Sequence, residues 1–431
     1  IVRPEHFADD RNSAVWSAIC AAHDAGTPAT VPTLRDWADR QLAESGGVRY
    51  LVQLAAAVGP AVSAPTYARL ISDLADRRAL SRVLQEGLDS LASSDPGTTA
   101  ARLAGNVEAA IRDITERGSG TGRVKLSAAA DQAIAEAEAA HRGETRALLT
   151  GIGTLDDAMG GIYPQDLVIL AARPGMGKTA LALSIARNIA GRGQGVLVFS
   201  LEMSATALAR RLLAGEAAVS VHAMRRGRLG QDGWVGLVRA RSAMDLPIEI
   251  DDRAGLEIAE VRAAALAARR RGNLSLVIVD HLGKLQAPRD VAKHGPTAIV
   301  GHVSSGLKAL AKDLDCPVMA LCQLSRAVES RDDKRPGLAD LRQSGEIEQD
   351  ADAVLMLYRQ AYYHRAKAPK REPAETPSSF AARREQWEAE LRDIERDAEV
   401  QMAKLRDGEP ATVMLGFNPR TISFGDPEPS E

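Results

Sequence analysis

DLVILAARPGMGKT, residues 166–179, decides how this chain is read. An apolar run of strand length leads into a glycine-rich turn, and the turn ends in Gly-Lys-Thr before a helical stretch rich in alanine and leucine. A loop between a buried strand and a helix N-terminus is where phosphates bind. Its backbone N–H groups converge on the anion, and the helix dipole favours negative charge. Lys178 is placed to reach the β- and γ-phosphates, and the Thr179 hydroxyl to ligate Mg²⁺. Arg173, Pro174, Gly175, Met176, Gly177, Lys178, Thr179 and Ala180 make up the expected nucleotide-binding set, with ATP and Mg²⁺ as cofactors. The strict pattern has glycine where this chain has Ala172. A turn of the same composition that binds no nucleotide is the bland alternative, and the flanking strand and helix weigh against it.

Outward from this loop the texture is regular from Gly151 on. GVLVFSL (195–201), LSLVIVD (274–280), CPVMALC (316–322) and AVLMLY (353–358) are short apolar runs. Helical segments separate them, one from about Ser204 and one carrying Leu307, Leu310 and Leu314. Near-continuous apolar strands alternating with helices predict a mostly parallel sheet buried on both faces, an α/β fold. QMAKLRDGEPATVMLGF (401–417) reads as two strands around a polar turn, an antiparallel edge. Lys404 and Arg406 sit beside that turn, far from the phosphate loop in the chain.

Three strand ends carry candidate chemistry. Asp280 ends an apolar strand where a second carboxylate holds Mg²⁺ through water. His281 follows it, either touching the site or simply packed. Glu202 follows GVLVFSL. If that strand neighbours the phosphate-loop strand, Glu202 lies beside the γ-phosphate and polarises an attacking water; otherwise it is an acidic residue favouring the next helix N-terminus. Gln323 is placed to hydrogen-bond the γ-phosphate or the water, or is an ordinary polar strand end. Residues 325–352 read as a long polar loop. Its Arg326, Arg331, Lys334, Arg335 and Arg342 alternate with acids, and DNA contact is favoured there only because long loops in compact domains are usually functional.

The remainder is organised around this core. Residues 1–112 read as a small all-helical domain, with Val15, Trp16, Ile19 and Cys20, then Tyr50, Leu51, Leu54 and Val58, then Leu70 to Leu88 at helical spacing. Residues 113–150 read as a linker with a docking helix, ERGSGTG (116–122) followed by an alanine-rich segment. Residues 151–431 form the ATPase domain, with a segment at about 367–400 whose Phe380, Trp387, Leu391 and Ile394 make a narrow apolar stripe on a charged helix. That stripe serves either an arm folded on its own domain or a partner. With 431 residues, 45% hydrophobic and net charge −3, the chain has ample core and no global pull toward nucleic acid or anionic lipid. The three cysteines, Cys20, Cys316 and Cys322, form no disulfide framework or zinc motif. The apolar runs are shorter than a membrane span, so no membrane is expected and the expected location is cytoplasmic. The first residue is Ile1 rather than Met, and continuation beyond it is expected.

TGIGTLDDAMGGIYPQDLVILAARPGMGKTALAL (150–183), FSLEMS (199–204) and LCQLSRAVESRDDKRPGLADLRQSGEIEQDADAVLMLYR (321–359) together resemble the DnaB-type replicative DNA helicases, in which alanine is tolerated at the 172 position. TLRDWADRQLAESGGVRYLVQLAAAV (33–58) is similar to that family's helical collar. The resemblance implies a RecA-like ATPase core in a homohexameric ring, moving 5′ to 3′ on single-stranded DNA and working with a primase and a helicase loader. It carries over Lys178 and Thr179 to phosphate and Mg²⁺, Glu202 to catalytic base, Asp280 to Mg²⁺ and Gln323 to γ-phosphate sensing. Arg342, Gln343 and Gly345 fall on a loop touching DNA. KLRDG (404–408) resembles the family's K-x-R-N-G hairpin, which makes Lys404 and Arg406 fingers acting on a neighbouring subunit's ATP. The chain departs from the pattern at His281, usually tyrosine, at Gln343, usually glutamate, and at Asp407, usually asparagine. The N-terminal domain's opening helix is also missing from the match. A RecA-like regulatory or recombination ATPase that binds DNA without unwinding is the alternative, and an ATP-binding scaffold the third.

Overall fold

The computed structural model describes residues 2–43, 46–57, 64–93, 100–118, 125–341, 345–373, 375–406 and 408–428. The chain divides into two compact units, Ile1–Glu136 and Ala137–Glu431.

The described part of the first unit is helical. Asp9 accepts hydrogen bonds from the backbone N–H groups of Arg11 and Asn12, capping α1 (Asp10–Asp24). With α2 (Arg35–Gln41) and α3 (Gly47–Ala56) it encloses a small core of Val15, Ala38, Leu42 and Leu51. α4 (Ala64–Ser93) pairs with α5 (Ala100–Gly118). Leu70, Leu74, Leu80, Leu84 and Leu88 repeat at helical spacing on α4, yet all are largely exposed in the single chain. α6 (Leu126–His141) crosses the boundary between the units and buries none of its residues.

The described part of the second unit is built on a nine-stranded sheet ordered β3-β2-β4-β5-β1-β6-β7-β8-β9. Its parallel part comprises β1 (Leu167–Ala172), β2 (Gly195–Ser200), β3 (Ile248–Asp251), β4 (Leu274–Asp280), β5 (Val318–Gln323) and β6 (Ala353–Tyr358). β7 (Asp397–Leu405), β8 (Ala411–Asn418) and β9 (Ser423–Gly425) continue it antiparallel. Strands β1 and β6 are buried at every position, because helices cover both faces. α7 (Gly153–Met159), α8 (Lys178–Ala190), α9 (Ala205–Glu216), α10 (Val221–Arg225) and α11 (Gln231–Ser242) precede β3. α12 (Ile258–Arg271), α13 (Arg289–Ala292), α14 (Pro296–Leu314), α15 (Gly345–Asp350), α16 (Gln360–Ala366) and α17 (Pro377–Ile394) complete the set. Leu170, Leu181 and Ile185 sit in one core and Ile169, Leu307 and Leu310 in the other, so alternate residues of β1 feed opposite faces.

Two readings of the sequence change here, and a third, left open between two alternatives, gains an observation. β3 and β9 went unread: Ile248–Asp251 alternates apolar and acidic residues at a half-exposed edge, and Ser423–Gly425 is three residues long. The polar stretch 325–352 is not structureless. It holds two 3₁₀ turns, Arg326–Ser330 and Leu338–Asp340, and ends in α15. Three of its cations are engaged within the chain: Arg331 with Asp340, Arg335 with Glu399, and Lys334 with the carbonyls of Glu329 and Arg331. Finally, α17 is an arm on its own domain. Trp387 stacks on His364 of α16 at 5.4 Å, Trp387 Nε1 donates to the His364 carbonyl at 3.1 Å, and the His364 ring nitrogen Nε2 pairs with the Trp387 carbonyl at 3.0 Å.

Candidate nucleotide-hydrolysis site

The carboxyl ends of β1, β4 and β5 meet at one edge of the sheet, and the phosphate loop sits there. Gly177 caps α8 at φ +103° and Gly175 turns at φ +84°, conformations that side chains rarely adopt. A Cβ at Gly175 would also lie 2.6 Å from Cε2 of Tyr362, and one at Gly177 would lie 2.9 Å from Cζ of Phe424. Phe424 is itself fixed by its N–H donating to Ser184 Oγ on α8 at 3.0 Å. The Arg173 guanidinium braces the loop, donating from Nη1 to the Leu324 carbonyl at 2.8 Å and from Nε to Glu329 at 3.0 Å. Thus Arg173 contributes backbone to the loop and its side chain to the exit of β5.

Around the loop the predicted residues converge. Thr179 Oγ1 donates to Asp280 Oδ2 at 2.6 Å, and Lys178 Nζ lies 3.6 Å from Asp280 Oδ1. Asp280 is 2% exposed, and its Oδ1 has no hydrogen-bond partner among the described residues. A buried carboxylate oxygen left unmatched beside a hydroxyl and an ammonium is a site awaiting charge. Hydroxyl and carboxylate oxygens are the hard donors that Mg²⁺ accepts, with waters and phosphates completing its shell. The residues therefore fit the ion.

β2 is not the neighbour of β1, since β5 and β4 lie between them. Glu202 reaches the site by another route: β2 pairs with β4, Ser200 opposite Asp280, and the turn that follows brings Glu202 Oε2 to 3.6 Å from His281 Nε2. His281 is buried, and its Nδ1 has no partner among the described residues. Burial, and then the Lys178 charge, push its pKa below the ordinary histidine value, so the ring is neutral at pH 7. Gln323 ends β5 opposite Ala172 and is exposed. His281, Gln323, Arg173, Cys322, Arg326 and Ile347 line a cavity of about 800 Å³ beside these groups. Cys316 and Cys322 are buried hydrophobes; burial pushes the Cys316 thiol up to about 12, which keeps it unreactive.

Of the three residues assigned to DNA, Arg342 and Gln343 lie outside the described residues, and Gly345 opens α15. Lys404 and Arg406 are placed away from this edge. Leu405 pairs with Ala353, whose other neighbour is Val168, so the end of β7 lies beside the amino end of β1. Five residue steps separate Leu167 from Ala172, roughly 17 Å at strand rise.

Sequence reasoning missed three contributors. Arg211, on α9, is partly buried; burial lowers its pKa while the charges of Asp280 and Glu202 counteract it, so the cation lies within electrostatic reach of both carboxylates. Arg359 leaves β6 4% exposed, its guanidinium 3.4 Å from the Phe417 ring centroid, and burial pushes it down to about 10. Asp352, at the start of β6, is 4% exposed and accepts from Leu167 N–H at 2.8 Å, from Lys308 at 2.5 Å and from Arg406 Nη1 at 2.7 Å.

Residues 147–426 match the DnaB-like helicase C terminal domain, and residues 1–73 match the DnaB-like helicase N terminal domain. The chain is 33% identical to the replicative DNA helicase DnaB of Rickettsia conorii, over 99% of this chain and 88% of that protein. It is 33% identical to the replicative DNA helicase DnaB of Geobacillus stearothermophilus, over 97% and 87%. Among solved structures, a DnaB-like replicative helicase described with its interactions with primase superposes with a TM-score of 0.70 at 27% identity, over 99% of this chain and 94% of that one. A second solved structure, of an isolated ATPase domain, gives 0.59 at 30% identity, over 72% of this chain and 100% of that one.

Proposed function

This chain belongs to the DnaB-like helicase family and is an ATP-dependent replicative DNA helicase, and we propose that it works as a homohexameric ring in which each ATP is hydrolysed between two subunits. The observation that carries the ring is the split of functional groups across the sheet. Lys178, Thr179, Glu202, Asp280 and Gln323 belong to one edge, whereas Lys404 and Arg406 belong to the other, roughly 17 Å away along β1. No side chain spans that distance to its own phosphate loop. A cation there acts on phosphate only in another subunit.

In this reading the loop backbone and Lys178 hold the ATP phosphates, and the exposed Tyr362 ring beside the loop offers a surface for the base. Thr179 and Asp280 would hold Mg²⁺, which when bound offsets the negative charge on the phosphates. Glu202, flanked by Arg211 and by neutral His281, orients and deprotonates the attacking water, and Gln323 senses the γ-phosphate. Arg406 from the next subunit neutralises charge developing on the transferred group, while Lys404, held on the carbonyls of Glu348 and Ala351, buttresses the hairpin beside it. Exposed apolar side chains on two helices support assembly: Leu126 and Ile134 on α6, and Trp234, Val235 and Val238 on α11. Residues 1–112 serve as the collar, 113–150 as the linker and 151–431 as the motor, with Arg342, Gln343 and Gly345 against single-stranded DNA. Primase and a loader are its partners, the first supported by the primase named with its structural relative. No helix among the described residues is long and apolar enough to cross a membrane, and the cytoplasm is the proposed compartment.

The test is strand displacement on a labelled fork with only a 5′ or only a 3′ loading tail. ATP-dependent unwinding that requires the 5′ tail is the expected result. DNA-stimulated hydrolysis without displacement, even with a loader supplied, would instead identify a regulatory ATPase.

A further inference from the structure

The far end of the sheet contains a second charged assembly, centred on Asp352. Its side chain lies at the junction of β1, β6, α14 and β7, with Oδ2 accepting from Leu167 N–H and Lys308 Nζ, and Oδ1 accepting from Arg406 Nη1. The Arg406 N–H also donates to the Asp352 carbonyl at 2.8 Å, so backbone and side chain are tied to the same residue. The Asp352 side chain is 5% exposed, while 66% of the Arg406 side chain remains accessible. A guanidinium carries five N–H donors in a rigid plane, so the bond at Nη1 constrains the orientation of the whole fork.

The strand itself aims the pair. The register between β6 and β7 shifts at Val354/Leu355, leaving Ala403 as the extra residue of a bulge just before Lys404. Bulges of this kind re-aim the side chains that follow. Lys404 Nζ donates to the carbonyls of Glu348 and Ala351 at the carboxyl end of α15, where a cation satisfies otherwise orphaned acceptors. The two cations therefore differ. Lys404 is turned inward to fasten α15, and Arg406 is anchored on Asp352 with most of its side chain presented outward.

We propose that Asp352 is the positioning residue for Arg406, pre-orienting its guanidinium for a phosphate held by the neighbouring subunit, an inference that rests on the trans-acting reading above. Burial disfavours the Asp352 charge, but the bonds from Lys308, Leu167 N–H and Arg406 outweigh it and hold its pKa below the ordinary carboxylate value, so the anchor stays ionised. Asp352→Asn isolates the role. Its amide oxygen can keep the Leu167 and Lys308 bonds, while its NH₂ group then faces Arg406 and can only repel it.

The experiment compares mixed rings formed from dissociated subunits. Asp352→Asn should lower kcat on the order of 10²-fold, the scale of a reacting group displaced by about an ångström, with KM for ATP within about twofold. Mixing it with Lys178→Ala subunits, which have an intact Arg406 but no working phosphate loop, should raise ATPase above the sum of the two parts. Arg406→Ala mixed with Lys178→Ala is the control. Rescue of Arg406→Ala but not of Asp352→Asn would show that Asp352 serves its own subunit's phosphate loop rather than the neighbour's and would overturn the inference, as would an unchanged kcat. Failure of the control to show rescue would remove the trans-acting reading and this inference with it. Should Asp352→Asn not yield folded protein, Asp352→Glu, which keeps the charge but displaces it by one methylene, carries the same comparison.

Discussion

The two ends of the central sheet manage charge in opposite ways. At the carboxyl ends of β1, β4 and β5, Asp280 Oδ1 and His281 Nδ1 are buried without hydrogen-bond partners among the described residues, while Glu202 and Gln323 stand open. At the amino end of β1, Asp352 is as deeply buried as Asp280, yet three donors converge on it. A buried polar atom left unmatched costs stability, and such atoms persist where a ligand supplies the missing partner. The difference identifies the first end as a site completed by what binds there, and the second as a finished structural joint that offers only the exposed part of Arg406. In the proposed ring, each protomer would thus carry a socket at one edge and a key at the other.

The widest test of that contrast is a pair of substitutions, one at each end. Lys178→Ala should abolish hydrolysis and also weaken binding of a fluorescent ATP analogue. Arg406→Ala should bind the analogue with unchanged affinity yet lose hydrolysis by roughly 10³-fold or more, the range expected for a finger arginine. Equal loss of binding at both ends would break the distinction between socket and key. A smaller effect separates the joints by acid titration. Because the folded-state pKa of Asp352 is depressed, its contribution to stability is present above the unfolded value of about 4 and fades as pH falls through the lower folded value. The urea midpoint of the parent should therefore drop more steeply below about pH 4 than that of Asp352→Asn; parallel curves would show that the joint is not ionic. The smallest effect belongs to the arm. Trp387→Ala removes its stacking on His364 and should lower the denaturation midpoint by about 2–4 °C, leaving kcat within about twofold. A large fall in kcat would mean that α16, and Tyr362 with it, depends on the arm to address the phosphate loop.

Much of the socket was legible in the chain because its signals are local. The phosphate loop announces itself through a strand, two glycines and Lys178-Thr179 in immediate succession, and Asp280 and Gln323 each end an apolar run. The hairpin of β7 and β8 was equally legible from its turn. Glu202 was read as a candidate on an adjacency that does not hold, since β2 reaches the site by way of β4 rather than by lying next to β1. The cations of 325–341 were legible as alternating with acids, but not their pairing: Arg331 takes Asp340 within the stretch, whereas Arg335 takes Glu399, 64 residues away. β3 was missed because an edge strand with one exposed face has too few apolar residues to register.

By itself, then, the sequence determined the elements whose evidence lies within a dozen neighbouring residues: the loop, the apolar strands, the amphipathic helices, and the nucleotide chemistry that Lys178 and Thr179 imply. The tertiary structure alone decided who meets whom. Arg211 comes to Asp280 and Glu202, Tyr362 to Gly175, and Asp352 to Arg406 across 54 residues. The physical reason is strand order. The parallel run β3-β2-β4-β5-β1-β6 and the reversal at β7 set which strand ends share an edge, and that order is fixed by packing on both faces of the sheet rather than by proximity along the chain.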